Sequence, residues 1–497
     1  MAEKSAGPLI VGHVITQMCA DQRCGKADGW RQEGEMQMKD LIAAFERLGT
    51  GGPFQRTRRL TDTACVLGGG VAGLFAARVL TDHFDRVVVI ERDTVGNDAG
   101  PRVGVPQGKH VHTLLPGGLR WMERWFPGIT QQIQAGGGVL ADPARTVHYI
   151  DSHPQVRAGD HRLLMASRPF LEGNIRRRVL ELPNVSVLRA RAAGLVYQVE
   201  EVAGVWHTSG AGPQVLPAGL VVDAMGRASR LSDWLSDAGY DRPELRGVPC
   251  AINYTTALFE RDGGPEDPEL TCSVARYGPP YPADGVAMAA VSAIEGSRWI
   301  MMLAGYDDIR PGRTLDAFRA ACAKLPPPFQ EAARNAPIGE IATYHQADSR
   351  RRDFAGTCHF PGRLVSMGDA VASFNPIYGQ GMSSAALHAA CLSEFLNSGP
   401  DLRKPARGFF ELQDIMVDAA WSISAGLDAA RLDAMNGTKV PKELSRQRQF
   451  LEQILRATLV DKEVCKAFQN VAFMIAHPAI LATPALVERV MTANASV

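Results

Sequence analysis

Three glycines at Gly68, Gly70 and Gly73 stand between an apolar run and a helical pattern, and Glu91 follows 18 residues beyond the last of them. That spacing is the dinucleotide fingerprint. Gly68 permits the tight turn, Gly70 lets the backbone approach a pyrophosphate, and Gly73 lets the helix pack closely on the sheet. Val71 and Ala72 open the helix, whose free N–H groups and dipole favour the phosphates. Glu91 is placed to accept hydrogen bonds from a ribose, and an acid there rather than a base suits FAD or NAD. Arg92 follows it directly.

A second chemical loop runs from Arg102 to His112, with Gln107, Lys109, His110 and His112 held between glycines and Pro106. Two histidines two residues apart invite a metal reading, but no third ligand with suitable spacing is evident, and lining a cofactor or substrate fits better. Ser167 and Pro169 start a helix that places Arg168 at its entry, within reach of a phosphate. The run Arg176-Arg177-Arg178 reads as a solvated helix face. Asp223 to Gly226 lies at a buried strand end. A second glycine-rich turn, Gly368-Asp369 through Pro376, Tyr378, Gly379, Gly381 and Met382, again leads from a strand into a helix.

These sites need elements to position them. The strand, turn, helix, strand sequence from Thr63 to Arg92 predicts an α/β nucleotide-binding unit. Short strands from 248 to 306, including a hairpin of Val286–Ile294 with Arg298–Ala304, predict an inserted sheet, and helices are expected at Arg313–Leu325 and Pro328–Asn335. From Ala406 onward the pattern is helical, with breaks at Asn436–Pro441 and Pro478–Pro484. Residues 1–60 are polar with one helical stretch, Met38–Leu48, and read as an extension, disordered in the blander view.

Composition narrows the function classes. The 53 Lys plus Arg balance the 53 Asp plus Glu among 497 residues, so no global field argues for nucleic acid or an anionic membrane. Nine cysteines, an odd number from Cys19 to Cys465, do not resemble a disulfide framework. Cys19 and Cys24 have no histidine cluster beside them to complete a metal site. Buried thiols in a cytoplasmic protein are the expectation. No run reaches the length of a transmembrane helix, and Pro8–Ile15 is short for a secretory signal and contains His13.

The Gly68–Gly73 turn with Glu91, the Asp223–Gly226 strand end and the Gly368–Gly381 turn together resemble the flavoprotein monooxygenases related to para-hydroxybenzoate hydroxylase. Gly104–His112 and Gly368–Ser383 look most like the flavin-dependent epoxidases of bacterial polyether biosynthesis. The resemblance covers about Ala64 to the C-terminus. It implies a GR2-type FAD-binding Rossmann-like domain with an inserted β-rich substrate domain and a helical C-terminal region. The implied division is an N-terminal extension (1–60), FAD-binding parts at 61–145, 165–235 and 350–396, substrate-domain segments at 146–164 and 236–349, and a C-terminal region at 397–497. Glu91 would hold the adenosine ribose, Arg102 and Arg168 would face the pyrophosphate, and Asp369 would bind the ribityl or pyrophosphate region. The turn Pro376–Met382 would set backbone amides against the flavin ring. Relatives commonly have threonine where Met225 stands.

The implied reaction inserts one oxygen atom from O2, through a flavin C4a-hydroperoxide, into an alkene of a hydrophobic biosynthetic intermediate. NAD(P)H would be the reductant, directly or through a flavin reductase, since one dinucleotide fingerprint is visible. An alkene has no proton to lose, so no base is required, and the sequence offers no evident base constellation. Gln107, His110, His112 and Tyr378 are candidates for the polar rim of the pocket. Alternatives are an aromatic hydroxylase, an FAD-dependent prenyl reductase and a non-redox FAD-containing cyclase. A flavin halogenase is disfavoured because the tryptophan-x-tryptophan-x-isoleucine-proline signature is absent.

Overall fold

The computed structural model describes residues 39–49, 59–94, 102–210, 212–262, 271–279, 281–283 and 285–495. The unit that the sequence predicts to bind a nucleotide is a five-stranded parallel sheet in the order Leu364–Ser366, Leu220–Asp223, Thr61–Leu67, Phe84–Glu91, Val185–Arg189. Leu364–Ser366 and Leu220–Asp223 are buried throughout, and the next two strands are buried over 64–67 and 87–91, as a parallel sheet covered by helices requires. Register sets Leu67 beside Asp223 and Asp223 beside Ser366. The turns at Gly68, Asp223 and Gly368 therefore leave one carboxyl edge of one sheet, where ligands of such folds bind. Helix Gly381–Asn397 packs on helix Val71–Leu80, joining the first and last motifs of the sequence.

The inserted unit is an eight-stranded sheet. Its order is Ala372–Ser373, Pro337–Asp353, Glu244–Glu260, Arg298–Tyr306, Met288–Ile294, Cys272–Arg276, Thr146–Ile150, His153–Pro154. All pairs are antiparallel except Cys272–Arg276 with Thr146–Ile150. The expected hairpin is present, with Ile294 opposite Arg298. The 17-residue strand Pro337–Asp353 has no counterpart in the sequence reading. Its polar and charged residues mask a β pattern, and it is held by pairing with Glu244–Glu260.

Alternation gives this sheet two unlike faces. One buries Phe259, Ala275, Ala289, Val291, Met301 and Leu303 against helices Leu315–Cys322 and Pro327–Arg334. The other gathers Ile252, Tyr254, Met288, Ala290, Met302, Ala304 and Tyr306, and it is met by Val111, Ile377 and Tyr378 from the two loops of the nucleotide-binding unit. The C-terminal region is helical as expected, at Arg407–Asn436, Lys442–Ala457, Lys462–Ala472 and Pro484–Ala495.

Residues 39–49 form a helix that belongs to the main core. Phe45 and Leu48 are buried, and the Phe45 ring meets His477 edge-on at 5.9 Å. The remainder of the 1–60 extension, apart from residues 59 and 60, lies outside the described residues, as do Cys19 and Cys24. All seven described cysteines are unpaired. No helix among the described residues is long and apolar enough to cross a membrane.

Candidate functional site

The three glycines of the first turn are distinguished by what a side chain would meet. At Gly68, with φ +105°, a Cβ would lie 2.5 Å from the Ala224 carbonyl oxygen, and at Gly73 it would lie 1.9 Å from that of Gly68. Both are demanded by the fold. A Cβ on Gly70 would meet nothing within 4 Å. Gly70 caps helix Val71–Leu80 in an extended conformation with no side-chain cap, so the helix amides open onto free space. Packing gives no reason for this glycine, whereas a pyrophosphate approaching the backbone does. Val71 and Ala72 form the first turn, and the Ala72 methyl lies where a Cβ on Gly368 would sit, at 2.5 Å.

Glu91 is buried, and its carboxylate accepts from the Gly69 N–H at 2.7 Å and the Asp93 N–H at 2.9 Å. Arg102 Nη2 stands 2.7 Å from the same carboxylate. The Arg92 side chain is largely in solvent, so of the adjacent pair only Glu91 faces the turn. Arg102 also donates to the Gly69 carbonyl at 3.1 Å and to Glu172 at 2.5 Å. Arg168 reaches the other Glu172 oxygen at 3.0 Å, and Arg176 reaches Glu172 at 2.6 Å. These arginines and Glu172 line a cleft with Val105, Gly108 and Pro169. One carboxylate thus faces three guanidinium groups, and the Nε atoms of Arg102 and Arg176 are buried without a partner. The cleft has the charge and the orphaned donors that a pyrophosphate would use. Arg176 corrects the sequence reading: it is buried rather than solvated, because Glu172 one turn earlier holds it inward.

At the second turn, Asp223 accepts from the Met225 N–H at 3.0 Å, the Ser229 hydroxyl at 2.7 Å and the Ser366 hydroxyl at 3.1 Å. It pins two neighbouring strand ends. Met225 contributes its backbone to this knot, so a methionine serves there without a hydroxyl. Asp369 sits between the turns. Burial raises its carboxyl above the usual range against the pull of Arg168 and Arg227. His388, which the sequence reading did not single out, accepts the Gly368 N–H at Nδ1 over 2.9 Å from inside a helix of small residues. Burial holds its ring far down, to about 3, so it is a neutral acceptor.

Beyond Asp369 the chain turns at Asn375, whose side chain accepts from Ile377 N–H at 3.2 Å and so starts the short turn Pro376–Tyr378. Pro376 is exposed, and Gly379 takes φ +68°, which favours glycine. Gln380 is buried with its Oε1 unpartnered. Gly381 and the buried Met382 begin the helix. The Ser383 hydroxyl accepts from Leu115 N–H at 2.9 Å, tying this turn to the end of the Arg102–His112 loop.

That loop sends its histidines in different directions. His112 Nδ1 is 2.9 Å from the His110 carbonyl oxygen, and its ring is pushed down to about 3 by burial and then by the Arg168 charge. His110 Nδ1 is 2.8 Å from Thr256 Oγ1 on the large sheet, with Tyr344 and Tyr254 ring centroids at 5.6 and 5.9 Å. Burial first and Lys109 second hold it down, to about 4. Lys109 itself is exposed. Gln107 lies in the turn Pro106–Lys109, its carbonyl accepting from His110 N–H at 3.1 Å. Tyr378 faces the sheet rather than solvent alone, with burial raising its hydroxyl.

Across the sheet, register aligns Tyr344, Tyr254, Ala304, Met288 and Arg276 in one row, and cross-strand neighbours share a face. The next row on that face runs through Thr256, Met302, Ala290 and Val274. The sequence reading named none of these as a site residue. Strand alternation tells which residues share a face, but not that this face meets the loops of the other unit.

No family model matches the chain. Protein Rv3254 of Mycobacterium tuberculosis (strain ATCC 25618 / H37Rv) is 34% identical over 353 residues, 68% of this chain and 73% of that protein. Among solved structures, the flavin-dependent brominase Bmp2 superposes with a TM-score of 0.59 at 15% identity, covering 88% of this chain and 99% of that one. The p-nitrophenol 4-monooxygenase PnpA from Pseudomonas putida DLL-E4 gives 0.58 at 16% identity, covering 84% and 99%. At such identities the likeness is one of fold.

Proposed function

The chain belongs to the family of the Mycobacterium tuberculosis protein Rv3254 and has the fold of FAD-dependent monooxygenases and halogenases, and from that premise we propose that it is an FAD-dependent monooxygenase that epoxidises an alkene in a hydrophobic small molecule. The observation that carries the reading is the apolar sheet face bearing Met288, Ala290, Met302 and Ala304, closed over by Val111 and Ile377 from the loops of the nucleotide-binding edge. A substrate lying there is held between the two units, where a cofactor at that edge can reach it.

FAD, when bound, supplies the chemistry that activates O2 for transfer of one oxygen atom. The protein does the rest. Gly70 and the first turn of its helix, with Arg102 and Arg168, hold the pyrophosphate, Glu91 takes the ribose, and Asp369 meets the chain between phosphate and ring. The turn Pro376–Met382 offers backbone N–H groups that stabilise negative charge on the reduced ring. The apolar face orients the alkene and excludes water. Epoxidation removes no proton, and the buried tyrosines of this face, with hydroxyls pushed above their usual range, stay protonated. Halogenation is the less suited outcome, because Lys109 is exposed rather than enclosed at this face.

Aromatic hydroxylation is the second reading. His110, neutral and beside Tyr254 and Tyr344, is the group that could take a phenol proton. The experiment is turnover of candidate alkenes under 18O2 with NADPH, alone and with a flavin reductase. An epoxide carrying one labelled atom is expected. A phenol product selects hydroxylation. Turnover without O2 uptake selects the prenyl reductase or the non-redox cyclase.

A further inference from the structure

The apolar sheet face assigned to the substrate carries a cation that oxygen transfer does not use. Arg276 ends the strand Cys272–Arg276, in the same cross-strand row as Met288, Ala304 and Tyr254. Its side chain leaves the sheet on the face closed by Tyr378, and its Cζ lies 5.4 Å from the Tyr378 ring centroid. Among the described residues its guanidinium has no carboxylate and no hydrogen-bond acceptor. The groups that bear on its charge are the Tyr378 and Tyr306 hydroxyls, and burial holds it below the usual arginine range. His148, beside Val274 on the next strand, is itself pushed down to about 4 by burial and by Arg276, so it adds no negative charge. Its Nε2 is buried without a partner, as is the Tyr254 hydroxyl.

Arg431 shows what a structural arginine looks like at this end of the pocket. It lies over Tyr306 at 4.1 Å and is paired with Asp307 at 2.7 Å. Arg276 has the aromatic contact and lacks the acid. Arg276 is half-buried, and a guanidinium partly drawn out of water is costly unless an anion meets it, while its fork of N–H donors matches a planar carboxylate. A phosphate would call for a second unpaired cation, and Arg431 is already committed to Asp307.

We propose that Arg276 anchors a carboxylate of the substrate, whose apolar body then lies along Met288, Ala290 and Met302 toward the flavin-facing turn. The substrate class is thereby an amphipathic organic acid. This rests on the oxygenase reading only for taking this face as the substrate's.

The test is calorimetric titration of the purified protein, its FAD content read separately by absorbance, with cinnamate, 4-phenylbutyrate, decanoate and geranate and with the primary amide of each. At least one acid should bind about tenfold or more tighter than its amide. Arg276→Met should bring the acid down to the amide while FAD content and melting temperature hold, and Arg276→Lys should keep part of the preference. If no acid exceeds its amide, or the preference survives in Arg276→Met, the assignment is overturned. Should Arg276→Met fail to fold, Arg276→Lys decides: an undiminished acid preference then overturns the carboxylate anchor. Incorporation of 18O from O2 scores the oxygenase reading independently, so the two can fail apart.

Discussion

Asn375 donates from its side-chain amide to both carboxylate oxygens of Asp428, at 2.9 and 3.1 Å. The bond fastens the turn that precedes Pro376 to the C-terminal half of the long helix Arg407–Asn436, and the backbone N–H of Asn375 is held by Ser424 of the same helix at 3.0 Å. The turn expected to face the flavin ring is thus positioned by the C-terminal region.

Asp428 makes that attachment pH-dependent. Burial raises its carboxyl to about 6, against the opposing effects of Asn375 and Arg431. The folded protein therefore holds this proton more tightly than the unfolded chain does. Its contribution to stability is greatest below the unfolded value near 3.8 and declines as pH rises to about 6. Asp428→Asn should remove that decline, worth up to about 3 kcal/mol. Melting profiles of the two proteins from pH 4 to 7 should converge or cross; parallel profiles would contradict the assignment.

Gly70 and Gly73 should separate cofactor binding from folding. Gly73→Ala drives a methyl into the Gly68 carbonyl, so it should cost about 2 kcal/mol or more in stability. Gly70→Ala meets open space and should melt like the parent without cofactor, while Gly70→Asp should also repel a pyrophosphate. FAD content after purification should fall in Gly70→Asp with the fold intact by circular dichroism. Retention of stoichiometric FAD in that variant would remove the phosphate site from this turn.

Asp369→Ala should also lose FAD, for a different reason. Its carboxyl lies half-buried, within the fields of Arg168 and Arg227 and with no hydrogen bond given to it by the described residues, so its removal should cost cofactor binding before stability. Asp223→Ala is the contrast. It breaks three hydrogen bonds that tie two strands, so it should lower the melting temperature first. Equal melting losses in the two variants would place Asp369 in the scaffold instead.

What the sequence disclosed follows from the range of the forces involved. The Gly68–Gly73 turn, Glu91 and the strand before Gly368 were legible because local sterics dictate them. The hairpin at Glu295–Gly296 was legible for the same reason. Arg276 and Tyr254 were not, because 22 residues separate them and only strand register sets them in one row. Arg176 was misread because a run of arginines resembles a wet helix face, while the acid that buries it, Glu172, was not weighed as a partner. The helix at 39–49 was visible, but its docking against His477, Ala479 and Ala482, some 430 residues away, leaves no local trace.

Glu172 carries the last prediction. It meets Arg102, Arg168 and Arg176 at 2.5–3.0 Å, and these charges hold its carboxyl below the usual range although burial alone would raise it. Its stabilising effect is accordingly present above the unfolded value near 4.5 and lost as pH falls through the lower folded value. Glu172→Gln leaves Arg102 with Glu91 and Asp93 but takes from Arg168 and Arg176 the acid they share, and breaking such a buried cluster costs on the order of 3 kcal/mol. If the cleft is the pyrophosphate site, added FAD restores negative charge to those same arginines. The rise in melting temperature on adding FAD should then be larger in Glu172→Gln than in the parent, because more unpaired charge is satisfied on binding. Thermal melts with and without saturating FAD measure it. An equal or smaller rise in the variant would mean that the arginines serve Glu172 alone and that the phosphates sit elsewhere.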